Sequence, residues 1–101
     1  MKSIMHDKDE HTCFLCMVLC EDYTEKLVLE EHHVFGGTSN RKNSEATGLK
    51  VYLCPPHHRT GLLAAHRNKD IAEILHITAQ KTYEKEHSRE EFMKIFGRSY
   101  L

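Results

Sequence analysis

Glu31-His32-His33-Val34-Phe35-Gly36-Gly37 and Leu53-Cys54-Pro55-Pro56-His57-His58-Arg59 set the architecture expected of this chain. Each sets two histidines side by side, and in the second a cysteine stands three positions before the first histidine. Upstream, Cys13-Phe14-Leu15-Cys16 repeats that spacing. Zinc takes four tetrahedral ligands, commonly thiolates and imidazoles. A two-residue gap within each pair lets one tight turn present both side chains to one ion. Cys13, Cys16, Cys54 and His57 are therefore expected to form a closed structural zinc site. It would staple together the ends of the segment running from Cys16 to Cys54, 38 positions later.

Around these motifs, Leu27-Val28-Leu29 leads into the first histidine pair, and residues 27–34 read as a strand ended by Gly36-Gly37. Thr38 to Gly48 is polar and reads as a loop. Lys50 to Leu53 reads as a second strand, and Pro55-Pro56 then forces a turn, since proline has no N–H for a ladder. A short helical turn carrying His57 and His58 should follow and break near Gly61. From about Lys69, Ile71, Ile74, Leu75, Thr78 and Thr82 recur at helical spacing. Ser88-Arg89-Glu90-Glu91 has the form of a capping box and opens a last helix bearing Phe92, Ile95 and Phe96, with Gly97 as its stop. The expected class is α+β, divided into a mobile N-terminus (1–12), a metal-stapled core (13–68) and a C-terminal helical segment packed on it (69–101).

Bulk properties bound the partners. A chain of 101 residues without tryptophan buries a small core, and a structural metal commonly supplements such a core. No apolar run approaches the roughly 20 residues of a spanning helix, so no membrane role is expected. No secretory signal is evident in residues 1–10, so the four cysteines are expected to be reduced in a cytoplasm, where Cys-x-x-Cys more often means metal than disulfide. A redox pair is disfavoured because no βαβ pattern surrounds it. Net charge is −1, yet residues 41–69 hold six bases against Glu45, a local +5. A basic centre with acidic flanks fits a phosphate-binding face, with Arg41, Lys42, Arg59 and Arg67 as candidate phosphate contacts. Cys20 is expected to pack in the core. His6, His11, His76 and His87 are expected at the surface, and Tyr52 and Tyr83 in packing roles.

A Cys-x-x-Cys, a His-His ending in Gly-Gly and a Leu-Cys-x-x-His-His, in that order, resemble the HNH (ββα-metal) endonuclease family, closest to its small phage and prophage-encoded members. The resemblance spans about Cys13 to His66. It implies a small ββα-metal core: two strands and a following helix gripping a catalytic divalent ion such as Mg²⁺ or Mn²⁺. Carried over position by position, His32 and His58 become ligands of that ion and His33 the general base. His66 matches a further histidine that serves as ligand or phosphate contact. The family's middle asparagine has no direct counterpart, since Gly48 and Leu49 occupy that stretch. Asn43 is the candidate substitute, ahead of Asn40. The implied activity is hydrolysis of DNA phosphodiesters to 5′-phosphate and 3′-hydroxyl ends, in phage DNA processing or packaging, with terminase or packaging proteins as partners in a bacterial cytoplasm.

The chemistry is coherent without the family. An imidazole with an ordinary pKa of about 6.5 accepts a proton near neutrality. A divalent ion polarises the phosphoryl oxygen and stabilises the leaving oxygen. Neighbours on a strand face opposite ways, which suits one histidine of the pair as ligand and the other as base. The competing readings are a zinc-stabilised DNA-binding or adaptor module without catalysis, and a purely structural zinc protein.

Overall fold

The computed structural model describes residues 1–101. The chain runs α1 (Phe14–Cys20), β1 (Glu30–His33), α2 (Thr38–Thr47), β2 (Lys50–Leu53), a π-helical turn (Pro56–Thr60), α3 (Lys69–Tyr83) and α4 (Arg89–Phe96). This is an α+β fold with one two-stranded antiparallel sheet. No helix is long and apolar enough to cross a membrane.

The register opposes His33 to Lys50, His32 to Val51, Glu31 to Tyr52 and Glu30 to Leu53. Alternation therefore gives the sheet two unlike faces. One carries Glu31, His33, Lys50 and Tyr52, and the other Glu30, His32, Val51 and Leu53. β1 is shorter than the strand expected over 27–34, and Leu27 and Val28 are exposed. The reason lies in the partner strand: Leu53 pairs with Glu30, and the chain beyond it turns at Cys54-Pro55, so nothing remains for residues 27–29 to pair with.

The segment expected to be a polar loop, Thr38 to Gly48, is α2. It lacks the apolar stripe that announces a surface helix, and Ser44 is its single buried residue. Ser44 holds it to the sheet by polar means: the hydroxyl accepts from the Phe35 N–H at 3.0 Å and donates to the Phe35 carbonyl at 3.1 Å. Asn43 donates to the Ile95 carbonyl of α4 at 3.1 Å. Gly48 ends the helix in the left-handed region (φ 75°), with its N–H and that of Leu49 turned to the Ser44 carbonyl. That is a Schellman-type cap, which favours glycine.

The core gathers residues from α1, β2, α3, α4 and the segments that flank α2: Leu15, Phe35, Leu49, Val51, Leu53, Leu75 and Phe92 are all at most 1% exposed. Phe35 centres it, its ring 4.4 Å from Phe96, 5.5 Å from Phe92 and 5.2 Å from Tyr100. α3 buries Ile71, Leu75, Ala79 and Tyr83. Thr78 and Thr82, expected on its apolar face, instead donate to the carbonyls four residues back. The capping box forms as read, with Ser88 Oγ accepting from the Glu91 N–H at 3.1 Å. Buried Gln80 accepts from the Tyr100 N–H at 2.6 Å, tying the C-terminal tail to α3.

Three further expectations are corrected. Residues 1–12 are built into the fold: the Ile4 N–H bonds the Gly48 carbonyl at 2.9 Å. His6 is buried rather than at the surface, with Nδ1 accepting from the Tyr52 N–H at 3.1 Å and Nε2 facing Thr12 Oγ1 at 3.1 Å. It serves β2 in place of a third strand, and burial lowers its pKa, in keeping with an accepting ring nitrogen. Cys20, expected in the core, is exposed at the end of α1.

A Cβ on Gly48 would stand 2.5 Å from the Lys2 carbonyl oxygen, and a left-handed backbone alone costs a non-glycine residue about 1–2 kcal/mol. Gly48→Ala should therefore lose at least that much in denaturant unfolding. A variant as stable as wild type would contradict the cap.

Candidate metal centres and the cleft between them

α1 starts at Cys13, whose Sγ accepts from the Cys16 N–H at 3.5 Å, so the helix N-terminus itself turns both thiols the same way. Across from them, the N–H groups of His57 and His58 both bond the Cys54 carbonyl, at 3.0 and 2.9 Å, and draw the π-helical turn over Cys54. Gly61 closes that turn onto the Pro56 carbonyl at 2.9 Å, where a Cβ would come within 2.5 Å of the same oxygen.

Cys13, Cys16, Cys54 and His57 converge as a result. Cys16 Sγ lies 3.9 Å from Cys54 Sγ, and His57 Nδ1 lies 3.7, 3.3 and 3.5 Å from the sulfurs of Cys13, Cys16 and Cys54. A tetrahedral zinc with bonds of about 2.3 Å to sulfur and about 2.0 Å to nitrogen separates its ligands by roughly 3.6–3.8 Å. The four side chains thus have the donor set and spacing to hold a metal ion such as zinc. Burial, with the neighbouring Cys13 thiol, pushes Cys16 up to about 12, and burial also raises Cys54. Thiols that resist ionisation beside one another become thiolates when a cation is supplied. Burial lowers His57, which leaves its ring neutral and ready to donate a lone pair.

Consecutive residues of a helical turn diverge by about 100°, so His58 faces away from this cluster. It meets His32 and His66, whose ligating atoms lie within 4.8 Å of one another. His66 is brought there by its own backbone, its N–H bonding the His58 carbonyl at 3.1 Å. The Nε2 atoms of His58 and His66 are 3.1 Å apart, the separation of adjacent ligands on one ion. His32 is 7% exposed, and burial, then the His66 and His58 rings, hold it down at about 3. Burial and His58 also lower His66.

Glu30 is a residue that sequence reasoning missed. Its Oε1 is 2.8 Å from His58 Nδ1, which orients the ring with Nε2 toward the other imidazoles. A carboxylate behind a ligating histidine is a recurrent feature of metal sites. Its signal was available in the strand pattern, because Glu30 shares a face with His32. Arg59, expected to contact DNA, is bidentate on this carboxylate at 2.8–3.3 Å, with its Nε and Nη2 donating. The guanidinium, with His58, holds Glu30 at about 2.

His33 faces the other way, as expected of strand neighbours. Its Nε2 lies 2.9 Å from Glu45 Oε1 of α2 and 3.5 Å from Glu31 Oε1, while Arg41 Nε points at Nδ1 from 3.5 Å. Glu31, His33 and Glu45 also form a group of converging donors. Lys50 Nζ, however, stands 3.0 Å from both Glu45 oxygens and 3.4 Å from Glu31, so the chain supplies that cation itself. Asn43 does not face His33, because its amide is committed to α4.

The two faces meet at the end of β1, where Gly36-Gly37 leaves an opening. A cleft of about 330 Å³ there is lined by His32, His33, His58, His66 and Arg41, among others. Next to it a wider hollow of about 890 Å³ shares His33 and Arg41 and adds Lys42. Arg67 is exposed and donates to the Thr60 carbonyl at 2.7 Å.

No family model, curated protein or solved structure matches this chain.

Two outcomes follow from this geometry. Purified protein should carry one tightly held metal equivalent, and Cys54→Ser should lose it together with several degrees of thermal stability. Full stability in a strong chelator would overturn the centre. His32 is neutral in the fold and titrates near 6.5 when unfolded, so its contribution is intact above that pH and drains away as pH falls toward about 3. Acidification from pH 7 to 5 should cost wild type about 2 kcal/mol more than His32→Gln, measured as parallel unfolding curves.

Proposed function

We propose that this protein is a metal-dependent DNA endonuclease of the HNH type, with zinc in the Cys13, Cys16, Cys54, His57 centre and a catalytic divalent ion at His32, His58 and His66. The observation that carries this reading is the cleft in which three inward imidazoles stand beside a fourth, His33, whose Nδ1 is not claimed by a carboxylate. A site that needed only structural metal would have no use for that fourth ring.

When bound, Mg²⁺, Mn²⁺ or a similar ion supplies a Lewis acid for the phosphoryl oxygen and for the departing 3′ oxygen. The protein does the rest. His33 takes a proton from the attacking water at Nδ1, the lone pair there being released when Arg41, which donates to it in the free protein, turns to the phosphate. Arg41, lying between the narrow cleft and the wider hollow, aligns the scissile phosphate through its fork of donors. Lys42 in the hollow and exposed Arg67 bind neighbouring phosphates. Arg59 is assigned instead to Glu30, and through it to the orientation of His58. The products are 5′-phosphate and 3′-hydroxyl ends. Sequence choice is assigned to a partner such as a phage terminase or packaging protein.

A plasmid-nicking assay across Mg²⁺, Mn²⁺, Ni²⁺ and Zn²⁺ tests the reading. Wild type should nick with at least one of them, and His33→Ala should lose about 10²–10⁴-fold in rate while keeping its structural metal and its affinity for DNA. DNA binding without cleavage under every metal would favour the adaptor module.

A further inference from the structure

The sequence offers Asn40 and Asn43 for the task of holding the base histidine, and Asn43 is committed elsewhere. The residue that does reach His33 comes from the same helix, α2, two positions further on. We propose that Glu45 is the positioning residue of His33: its carboxylate accepts the imidazole Nε2–H and so leaves the Nδ1 lone pair turned to the cleft. The proposal rests on the nuclease reading for its catalytic meaning, though not for its structural claim.

Three observations carry it. Glu45 Oε1 is 2.9 Å from Nε2, a full-strength hydrogen bond to a side chain only 12% exposed. At the other ring nitrogen a donor, Arg41 Nε, approaches Nδ1 at 3.5 Å. An acceptor on one nitrogen and a donor on the other select the same tautomer, with hydrogen on Nε2. The third is the clamp on Glu45 itself. Lys50 Nζ donates to both carboxylate oxygens at 3.0 Å, and the Met1 ammonium lies 2.7 Å from Oε2. Lys50 is opposite His33 in the ladder and is 6% exposed, so its place is fixed by the sheet. Burial works against its charge, but Glu45 and Glu31 outweigh this and raise its pKa. The Met1 ammonium, His33 and Lys50 together hold Glu45 well below the usual carboxylate range, as an acceptor only.

The arrangement also explains why a carboxylate rather than an amide stands here. Glutamine at position 45 would turn its single oxygen to the Lys50 ammonium, which has no other use for an NH₂ group. The amide NH₂ would then face His33 Nε2 and donate to it. That moves the ring hydrogen to Nδ1 and removes the lone pair that accepts the proton from water.

The test uses the full metal-loaded chain and reads the ring nitrogens of ¹⁵N-histidine protein by NMR, with His33 assigned by its disappearance in His33→Gln. In wild type, His33 should be protonated on Nε2 and bare on Nδ1. In Glu45→Gln the two signals should exchange ranges, and nicking should fall about 10²–10⁴-fold at saturating DNA, with KM for DNA and metal content unchanged. Glu45→Asp, which keeps the charge, should keep the wild-type tautomer. Glu45→Gln with unaltered tautomer and unaltered rate overturns the proposal, as does wild type protonated on Nδ1. Should wild type nick no DNA at all, the nuclease reading fails while the tautomer readout still decides the role of Glu45.

Discussion

One peptide bond, between His57 and His58, joins two clusters of metal-ligating side chains and governs the placement of most of what surrounds them. His57 turns to the cysteines and His58 to His32 and His66. The direction of one ring is thereby a function of the other. Two strands of four residues are marginal on their own, and the Cys13, Cys16, Cys54, His57 group joins the start of α1 to the turn that follows β2. A metal there would tie together Cys16 and Cys54, 38 positions apart, and order the turn on which His58 is mounted. The two clusters are thus coupled through the backbone rather than through a long network, and a loosened cysteine would be felt at an imidazole that touches no sulfur.

The sheet makes the second division. Because side chains alternate, the adjacent His32 and His33 enter environments of opposite character. His32 sits among neutral rings in a buried place, where a proton is costly and a cation is wanted. His33 sits against Glu31 and Glu45, two carboxylates that already share the ammonium of Lys50. Each of two histidines carries a carboxylate on one nitrogen, Glu30 on His58 and Glu45 on His33. The nitrogen left over in each case turns toward the cleft lined by both rings. Since Glu30 and Glu45 come from different elements, β1 and α2, the strand and the helix must both be in register for the two rings to face one space.

Much of this was legible beforehand because ligand spacing is a local property. A pair of donors two residues apart needs only a turn to converge, so Cys13/Cys16 and Cys54/His57 could be read from the chain, as could β2, the capping box of α4 and the divergence of His32 from His33. Two of the misreadings, α2 and His6, share a physical cause: polar residues acting through specific hydrogen bonds leave no periodic trace. α2 has no apolar stripe because Ser44 and Asn43 dock it by single bonds to Phe35 and Ile95. His6 reads as a surface histidine until Tyr52 and Thr12 are seen to meet its two nitrogens. Glu45 carries no sequence signal for the same reason, its partners His33 and Lys50 being reached by single polar contacts. Hydrophobic burial writes a period into a sequence; a committed hydrogen bond does not.

Charge counting is corrected in the same way. The local excess of +5 over residues 41–69 overstates the field a polyanion would meet. Arg59 is taken up by Glu30, and Lys50 by Glu45 and Glu31. These cations spend their charge on aligning imidazoles. What faces the two hollows is Arg41 and Lys42, with Arg67 exposed beyond them. Phosphate contacts dominate nonspecific affinity for DNA, each neutralised charge adding to the salt dependence. Two or three free cations, on a chain of net charge −1, would make for weak DNA binding with only a shallow dependence on salt. On the nuclease reading, such a surface is suited to cutting DNA that another component already holds in place, and ill suited to capturing it alone.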